Sequence, residues 1–457
     1  MTITTAIATL LPVRQRRPVA SGVVPAAQPR WARWALLALL AGAAALYSAN
    51  ITAGGYSDYY ATAAKSMSVS WKAFFFGAFD PQATITLDKL AGFLIPQALS
   101  ARIFGFSTAS LALPQIIEGL MTVLASYLII RKWAGWGAGL AGALIMASTP
   151  LLASMFSHPM EDSLLTMCTT LAILAFQHSL DTHRTGYLLL CGGLDGVGFQ
   201  AKMMQAWLIL PALAAIYLIM QTGPVVKKLR DLLAAATVTA AVSLSWMSVI
   251  ALTPATARPY IDGSTNNNIF SMVFGYNGFN RFIPGFIPGA LGADPGIPSS
   301  GSTTVPVPVL ISHTPVKLFL PPYATQIGWL YPLAVAGIIL GLLYLHTPRT
   351  HPGPIVPGLI VTEQTVKLKT GVLLPLVLLV SVGSVLSVMG LPHTAYLAAL
   401  TFPLAALAAI GAKLLWHNYR HSTGRLRYAL SAYVLVQSIW AALLSSAYPG
   451  FVPWLAR

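Results

Sequence analysis

Long apolar runs separated by short polar stretches dominate this chain. Crossing the hydrocarbon core of a bilayer takes about 20 apolar residues in helical form. About eleven runs approach that length, near residues 34–51, 108–130, 134–153, 160–179, 186–199, 205–221, 231–252, 325–345, 370–388, 394–415 and 428–446. The fifth is short and holds Gly192, Gly193, Gly196 and Gly198, which blurs its limits. The pattern predicts an all-α polytopic membrane protein, a bundle of about eleven transmembrane helices. Two connections are long enough to fold, residues 52–107 and 253–324. In the first, Tyr59 to Trp71 reads as an amphipathic helix with Tyr60, Ala64, Met67 and Trp71 on one side, and Phe93 to Phe104 as another. Two helices lying in the membrane interface are expected there. The second connection is rich in Gly, Pro, Ser, Thr and Asn, and reads as irregular coil that orders only against the core or a ligand.

Composition agrees with the pattern, since 56% hydrophobic and 9% charged residues exclude a soluble globule of 457 residues. The net charge of +15 does not point to nucleic acid, because Lys and Arg sit in short clusters between apolar runs and form no basic face. Residues 1–33 carry five arginines and no acid, and read as a disordered basic tail on the cytoplasmic side, followed by a transmembrane domain over 34–457. With the amino terminus inside, most of the 27 basic residues fall on the cytoplasmic side, among them Arg131, Lys132, Lys227, Lys228, Arg230, Arg420, Arg425 and Arg427. The 12 acids do the opposite. Asp58, Asp80, Asp88, Glu161, Asp162, Asp195, Asp262 and Asp294 lie outside or at that border. The two cysteines, Cys168 and Cys191, sit in apolar runs without metal-ligand spacing and read as packing residues.

The outward charges converge by position. Asp58 follows the first span, Asp88 and Lys89 lie in the first loop, His158, Glu161 and Asp162 precede the fourth span, and Lys202 lies between the fifth and sixth. Carboxylates with two lysines at one membrane face suit a phosphate-bearing lipid. Lys89 and Lys202 would neutralise its phosphate as point charges, and Asp58 would act as a general base or orient an attacking hydroxyl. No metal is required for this chemistry.

The same residues carry a resemblance. Gly55-Tyr-Ser-Asp-Tyr-Tyr60, Phe79-Asp-Pro81 followed by Asp88-Lys89, an acid at the start of the fourth span, Lys202-Met-Met-Gln205, and Gly263-Ser-Thr-Asn-Asn267 with Phe274-Gly-Tyr-Asn-Gly278 together resemble the bacterial glycosyltransferase family 39. That family is related to the protein O-mannosyltransferases and to the lipid A aminoarabinose transferase, all with the GT-C fold. The resemblance covers roughly residues 34–415. It implies transfer of a mannose-like hexose or a pentose from a polyprenyl-phosphate carrier to an acceptor hydroxyl outside the cytoplasm, with inversion, in a bacterial inner membrane. The donor would be a substrate and no cofactor is required. The partners implied are that lipid-linked donor, an extracytoplasmic acceptor on protein, lipid or glycan, and membrane lipids.

Carried over by position, the resemblance makes Asp58 catalytic and places Lys89 and Lys202 at the donor phosphate, with Asp88 and Asp162 as neighbouring acids. The run His158-Pro-Met-Glu-Asp162 departs from the family's pattern, which leaves Glu161 and Asp162 as alternatives for one matching acid. Tyr59 and Gln205 fall within the matched motifs, and His393 and Tyr396 resemble a His-x-x-Tyr turn lining the donor cavity. Many relatives carry a long carboxy-terminal extension. This chain stops at Arg457, so no soluble domain is expected there.

Simpler roles stand beside these. Asp58 is also suited to capping a helix, and the lysines to snorkelling. Asp195 would pair with Lys202, and Asp262 with Arg281. His158 is either a metal ligand or a turn residue. Asn266 and Asn267 either bind sugar or shape a turn, and Tyr276 either stacks on the acceptor or anchors its loop. Glu118, within the second span, is either an interhelical contact or a cavity-lining group. The competing class is a transporter or flippase. The absence of an apparent repeat and the placing of charges at one face, away from the midplane, weigh against it.

Overall fold

The computed structural model describes residues 28–49, 51, 58–291, 314–346, 359–390, 394–422, 424–448 and 450, and for 359–364 the backbone alone. Its helices are α1 (Arg30–Ala49), α2 (Asp58–Val69), α3 (Trp71–Phe76), α4 (Ile95–Phe104), α5 (Thr108–Ser148), α6 (Pro150–Met155), α7 (Glu161–Thr182), α8 (Thr185–Lys202), α9 (Leu210–Met220), α10 (Val225–Leu252), α11 (Pro321–Ile327), α12 (Tyr331–His346), α13 (Leu359–Val388), α14 (Ala398–His421) and α15 (Ala429–Ser446). Short 3-10 turns join several of them. The protein is an all-helical, multi-pass membrane protein.

Nine segments among the described residues are long and apolar enough to cross a bilayer, fewer than the eleven expected. The difference lies in two segments that double back. Helix α5 has 41 residues, about 62 Å if straight, twice a hydrocarbon core of about 30 Å. It does not run straight, because Gly135 has φ 85° and ψ 170°. A Cβ on Gly142 would lie 2.3 Å from Ile130 Cδ1, and one on Gly139 would lie 2.9 Å from Arg131 Cβ, so the two arms pack side by side. Lys413 Nζ donates to the Ala134 carbonyl at 2.7 Å, beside that turn. The second case is α8 to α9, where Met203 has φ 46° and ψ −132°. Phe199 and Trp207 stack there with centroids 4.7 Å apart.

The glycines of α8 serve close approach. A Cβ on Gly192 would lie 2.6 Å from the Ala235 carbonyl oxygen, and one on Gly196 would lie 2.6 Å from Val242 Cβ, so α8 is seated against α10 backbone to backbone. One large apolar cluster runs through the bundle, with α14 at its centre. A second lies at one end of the bundle, where Ala64, Met67, Leu87, Leu90 and Phe93 of the first loop meet Phe199, Ile261, Met272 and Val273.

Within the first loop, Ala64 and Met67 are buried as the amphipathic reading required, but Trp71 is 65% exposed. The expected single helix ends at Val69, because the Ser70 side chain accepts from Ala73 N–H and starts α3 in a new direction. Arg102 stacks over Trp71 at 3.8 Å. The first span also begins earlier than expected, at Arg30.

The second loop is ordered against the core, one of the two routes expected for it. Residues 253–291 are ordered against the first loop in the protein alone. Thr86 N–H donates to Tyr260 O at 2.9 Å, and Tyr260 N–H to Thr84 O at 2.8 Å. Asp262 N–H donates to Thr86 Oγ1 at 3.1 Å, and Asn277 Nδ2 to Asp88 O at 2.7 Å. The described parts of the two loops form one cap over one end of the bundle.

Candidate active site

Three helix ends and the first loop build the site. Helix α7 opens with Glu161 and Asp162, where acids interact favourably with the N-terminal dipole. Helix α8 ends on Lys202, followed by Met203 in a backbone region that side-chain-bearing residues seldom occupy. Helix α2 starts at Asp58. The loop turn that docks on Tyr260 leads directly to Asp88 and Lys89.

Two lysines and two acids interlock at this point. Lys202 Nζ lies 2.5 Å from Asp162 Oδ2 and 3.8 Å from Glu161 Oε1. Lys89 Nζ lies 3.5 Å from the same Glu161 oxygen and 3.6 Å from Asp88 Oδ1. It also donates to Tyr60 OH at 2.7 Å. One carboxylate oxygen thus stands between both ammonium groups. Asp162 is 0% exposed, Glu161 2% and Lys202 5%, so these charges are sustained by one another. Burial alone would push Lys89 down, but Glu161, Tyr60 and Asp88 hold it well above the usual lysine range. It is therefore charged at physiological pH. Tyr396 lies against Lys202, with the ammonium 4.3 Å from its ring centroid.

A second, acidic group lies towards the loops. Tyr59 OH is 3.5 Å from both Asp88 Oδ1 and Asp262 Oδ2, and accepts from Asp88 N–H at 3.1 Å. Burial, then Asp88, push the Asp262 carboxyl up, against the lowering effect of Gly263 N–H. Asp58 is exposed. Neither a hydrogen bond nor an ion pair engages its side chain among the described residues. Its chain neighbours Tyr59 and Tyr60 touch Asp88 and Lys89.

Residues 92–246 match the family described as dolichyl-phosphate-mannose-protein mannosyltransferase, a stretch that contains Glu161, Asp162 and Lys202. Putative mannosyltransferase YycA of Bacillus subtilis (strain 168) is 27% identical over 480 residues, covering 91% of this chain and 68% of YycA. Putative mannosyltransferase YkcB of the same organism is 37% identical over 225 residues, covering 49% of this chain and 31% of YkcB. Crystalline ArnT from Cupriavidus metallidurans, bound to undecaprenyl phosphate, shares the fold with a TM-score of 0.57 at 14% identity, over 92% of this chain and 66% of ArnT. The chain has the fold of ArnT and is similar in sequence to membrane glycosyltransferases of that kind. The alignment with YkcB spans about a third of that protein, so activity and substrates are argued below from the residues.

Within this GT-C bundle the anticipated residues divide into two sets. Asp88, Lys89, Glu161, Asp162, Lys202, Tyr396 and Tyr59 come together. Gln205 follows Lys202 by three positions, with both amide atoms shielded and unpartnered among the described residues. Tyr276 lies close enough to Asp88 that burial, then Asp88, push its phenol up. Asn266 and Asn267 are engaged within their own loop. Asn266 Nδ2 donates to Ser271 Oγ at 3.2 Å, and Asn267, at φ 55°, accepts from Arg258 Nη1 at 2.7 Å and Ile261 N–H at 2.9 Å. His393 lies outside the described residues. Two expected pairs do not form. Lys202 turns to Asp162 and leaves both Asp195 oxygens without a partner among the described residues, and Arg281 stacks 5.0 Å over Tyr276 while Asp262 faces Tyr59. Tyr60 and Asp262 were missed by the sequence reading. A Tyr beside the first acid was the available signal for Tyr60.

The charge balance carries a prediction. Glu161 stands between the two ammonium groups, where it would compete with a phosphate if the lysines hold one. Glu161→Gln should therefore bind undecaprenyl phosphate more tightly than wild type, by about tenfold for each net ~1.4 kcal/mol of competition removed. Titration of the purified protein in lipid nanodiscs with that lipid measures it, and weaker binding would reject this role.

Proposed function

We propose that the protein transfers a sugar from a polyprenyl-phosphate carrier to an acceptor hydroxyl on the outer side of a bacterial inner membrane, with the amino terminus in the cytoplasm. Lys89 and Lys202 receive the lipid phosphate between them, displacing Glu161, and Tyr396 packs beside it. Asp58 takes the proton of the acceptor hydroxyl as its oxygen bonds to the anomeric carbon. The carbon–oxygen bond to phosphate breaks on the opposite face, and its electron pair leaves with the lipid phosphate. Attack from that side inverts the anomeric centre.

The observation that carries this reading is the pair of lysines bridged by one buried carboxylate oxygen. Preorganised cations at the place where leaving-group charge develops are a strong source of rate enhancement, because they need no reorganisation during the reaction. Removal of water from the site strengthens them further. The relatives named as mannosyltransferases, and the undecaprenyl phosphate bound by ArnT, agree with the choice of donor class.

The test is transfer by the purified protein in lipid, offering undecaprenyl-phosphate sugars and nucleotide sugars separately with a membrane extract as acceptor pool. Label should move from the lipid-linked donors, and the product linkage should have the opposite anomeric configuration. Transfer from nucleotide sugars alone, or with retention, would defeat the reading.

A further inference from the structure

Beneath the lysine cluster lies a buried polar group that the proposed chemistry leaves unused. Gln97 of α4 and Gln115 of α5 are 0% exposed, Glu118 of α5 is 4% exposed and Ser163 of α7 is 0% exposed. The Gln115 carboxamide is satisfied when its oxygen faces donors and its nitrogen faces acceptors. The oxygen then accepts from Gln97 Nε2 at 2.5 Å and from Met160 N–H at 3.1 Å, and the nitrogen donates to Ser163 Oγ at 2.6 Å and Glu118 Oε2 at 3.2 Å. A carboxamide offers two lone pairs and two N–H groups, so all four are used. Ser163 in turn donates to Met155 O at 2.7 Å.

The partners decide what this group does. Met160 and Ser163 flank Glu161 and Asp162, so the contacts to Gln115 fix the first turn of α7 on both sides of the acids. Gln97 belongs to the first loop, the element that also carries Lys89. Gln115 joins those two pieces and, being itself on α5, anchors both to that arm. Although Gln97 Oε1 and Glu118 Oε1 find no partner among the described residues, the Gln115 carboxamide with all four positions used is held in a single arrangement, and freeing one of the groups it pairs costs about 1–3 kcal/mol.

We infer that Gln115 is a positioning residue: it fastens the first turn of α7 to the first outer loop, so that Asp162 holds Lys202 at the right distance from Lys89. The inference rests on the reading that those lysines hold a lipid phosphate. Gln115 touches neither lysine and acts only through the backbone it holds.

The experiment measures undecaprenyl phosphate binding to the purified full chain in nanodiscs, beside thermal unfolding. Gln115→Met keeps side-chain length and removes all four hydrogen bonds. Its binding should weaken on the order of 100-fold, the effect of about 1 Å of misplacement in a preorganised site. Gln115→Glu sets a second carboxylate against Glu118 and should also weaken binding. The exchange Gln115→Glu with Glu118→Gln restores an amide donor facing an oxygen acceptor, and should return binding close to wild type. That recovery is not expected of a residue that merely fills space. Unchanged binding in Gln115→Met, or an exchange that recovers nothing that Gln115→Glu lost, overturns the inference. Lys89→Met serves as the control: if it binds the lipid phosphate as tightly as wild type, the phosphate reading fails and the inference falls with it.

Discussion

Asp58→Asn should lower sugar transfer by about 100-fold to 10,000-fold, the usual contribution of a positioned general base. It should do so in a protein that folds and binds donor normally. Both halves of that expectation follow from the surroundings of Asp58. The side chain is exposed at the first residue of α2, and among the described residues it holds no partner. Replacing its carboxylate with an amide leaves no buried group unpaired, so stability should change by no more than about 0.5 kcal/mol. The lysines that would hold the donor keep their partners. A lower turnover number with unaltered undecaprenyl phosphate binding is therefore the expected signature. Full activity in Asp58→Asn would reduce this residue to a helix-start acid, and parallel loss of donor binding would move it out of the proton-transfer role.

Lys202→Met should be the most destabilising single change at the site. Asp162 is 0% exposed and its Oδ2 lies 2.5 Å from the Lys202 ammonium. Removing the ammonium strands that charge, which typically costs about 3–5 kcal/mol. Adding Asp162→Asn should recover most of the loss in unfolding midpoint, since no bare carboxylate then remains buried. Transfer should remain absent in both variants. Recovery of stability without recovery of transfer would separate what Lys202 does for the fold from what it does for the donor. A Lys202→Met protein as stable as wild type would show that the buried pair contributes little to the fold.

Scarcity made much of this legible in advance. In a chain with 12 acids, the carboxylates at outward helix ends stand out, and Lys89, Lys202, Glu161 and Asp162 do converge. Neutral partners gave no such signal. Tyr60 and Gln115 are polar residues in helical surroundings, and only the three-dimensional arrangement joins Gln115 to Met160 and Ser163. Ion pairing was mistaken where two partners competed: Lys202 pairs with Asp162, because Asp195 lies seven residues back on the same helix, about 10 Å along its axis. The order in residues 253–291 was hidden by their composition. Gly, Asn and Ser read as coil, whereas here they supply φ values and side-chain acceptors, as at Asn267 and Gly263, that let the segment seal against Thr86 and Asp88. Membrane-crossing elements were read well because their signal is long, and four of the expected runs join in pairs into two longer apolar segments that turn back at Gly135 and Met203.

The scattered origin of the site also has a temporal side. Lys89, Glu161, Lys202 and Tyr396 arrive in that order as the chain is made, and the ribosome adds about 5–20 residues per second. The interval between Lys89 and Tyr396 is then about 15–60 seconds, during which the acids and lysines can pair but the aromatic wall against Lys202 is still missing. The enzyme would be inert throughout its own insertion, and competent only once α14 has been threaded into the bundle.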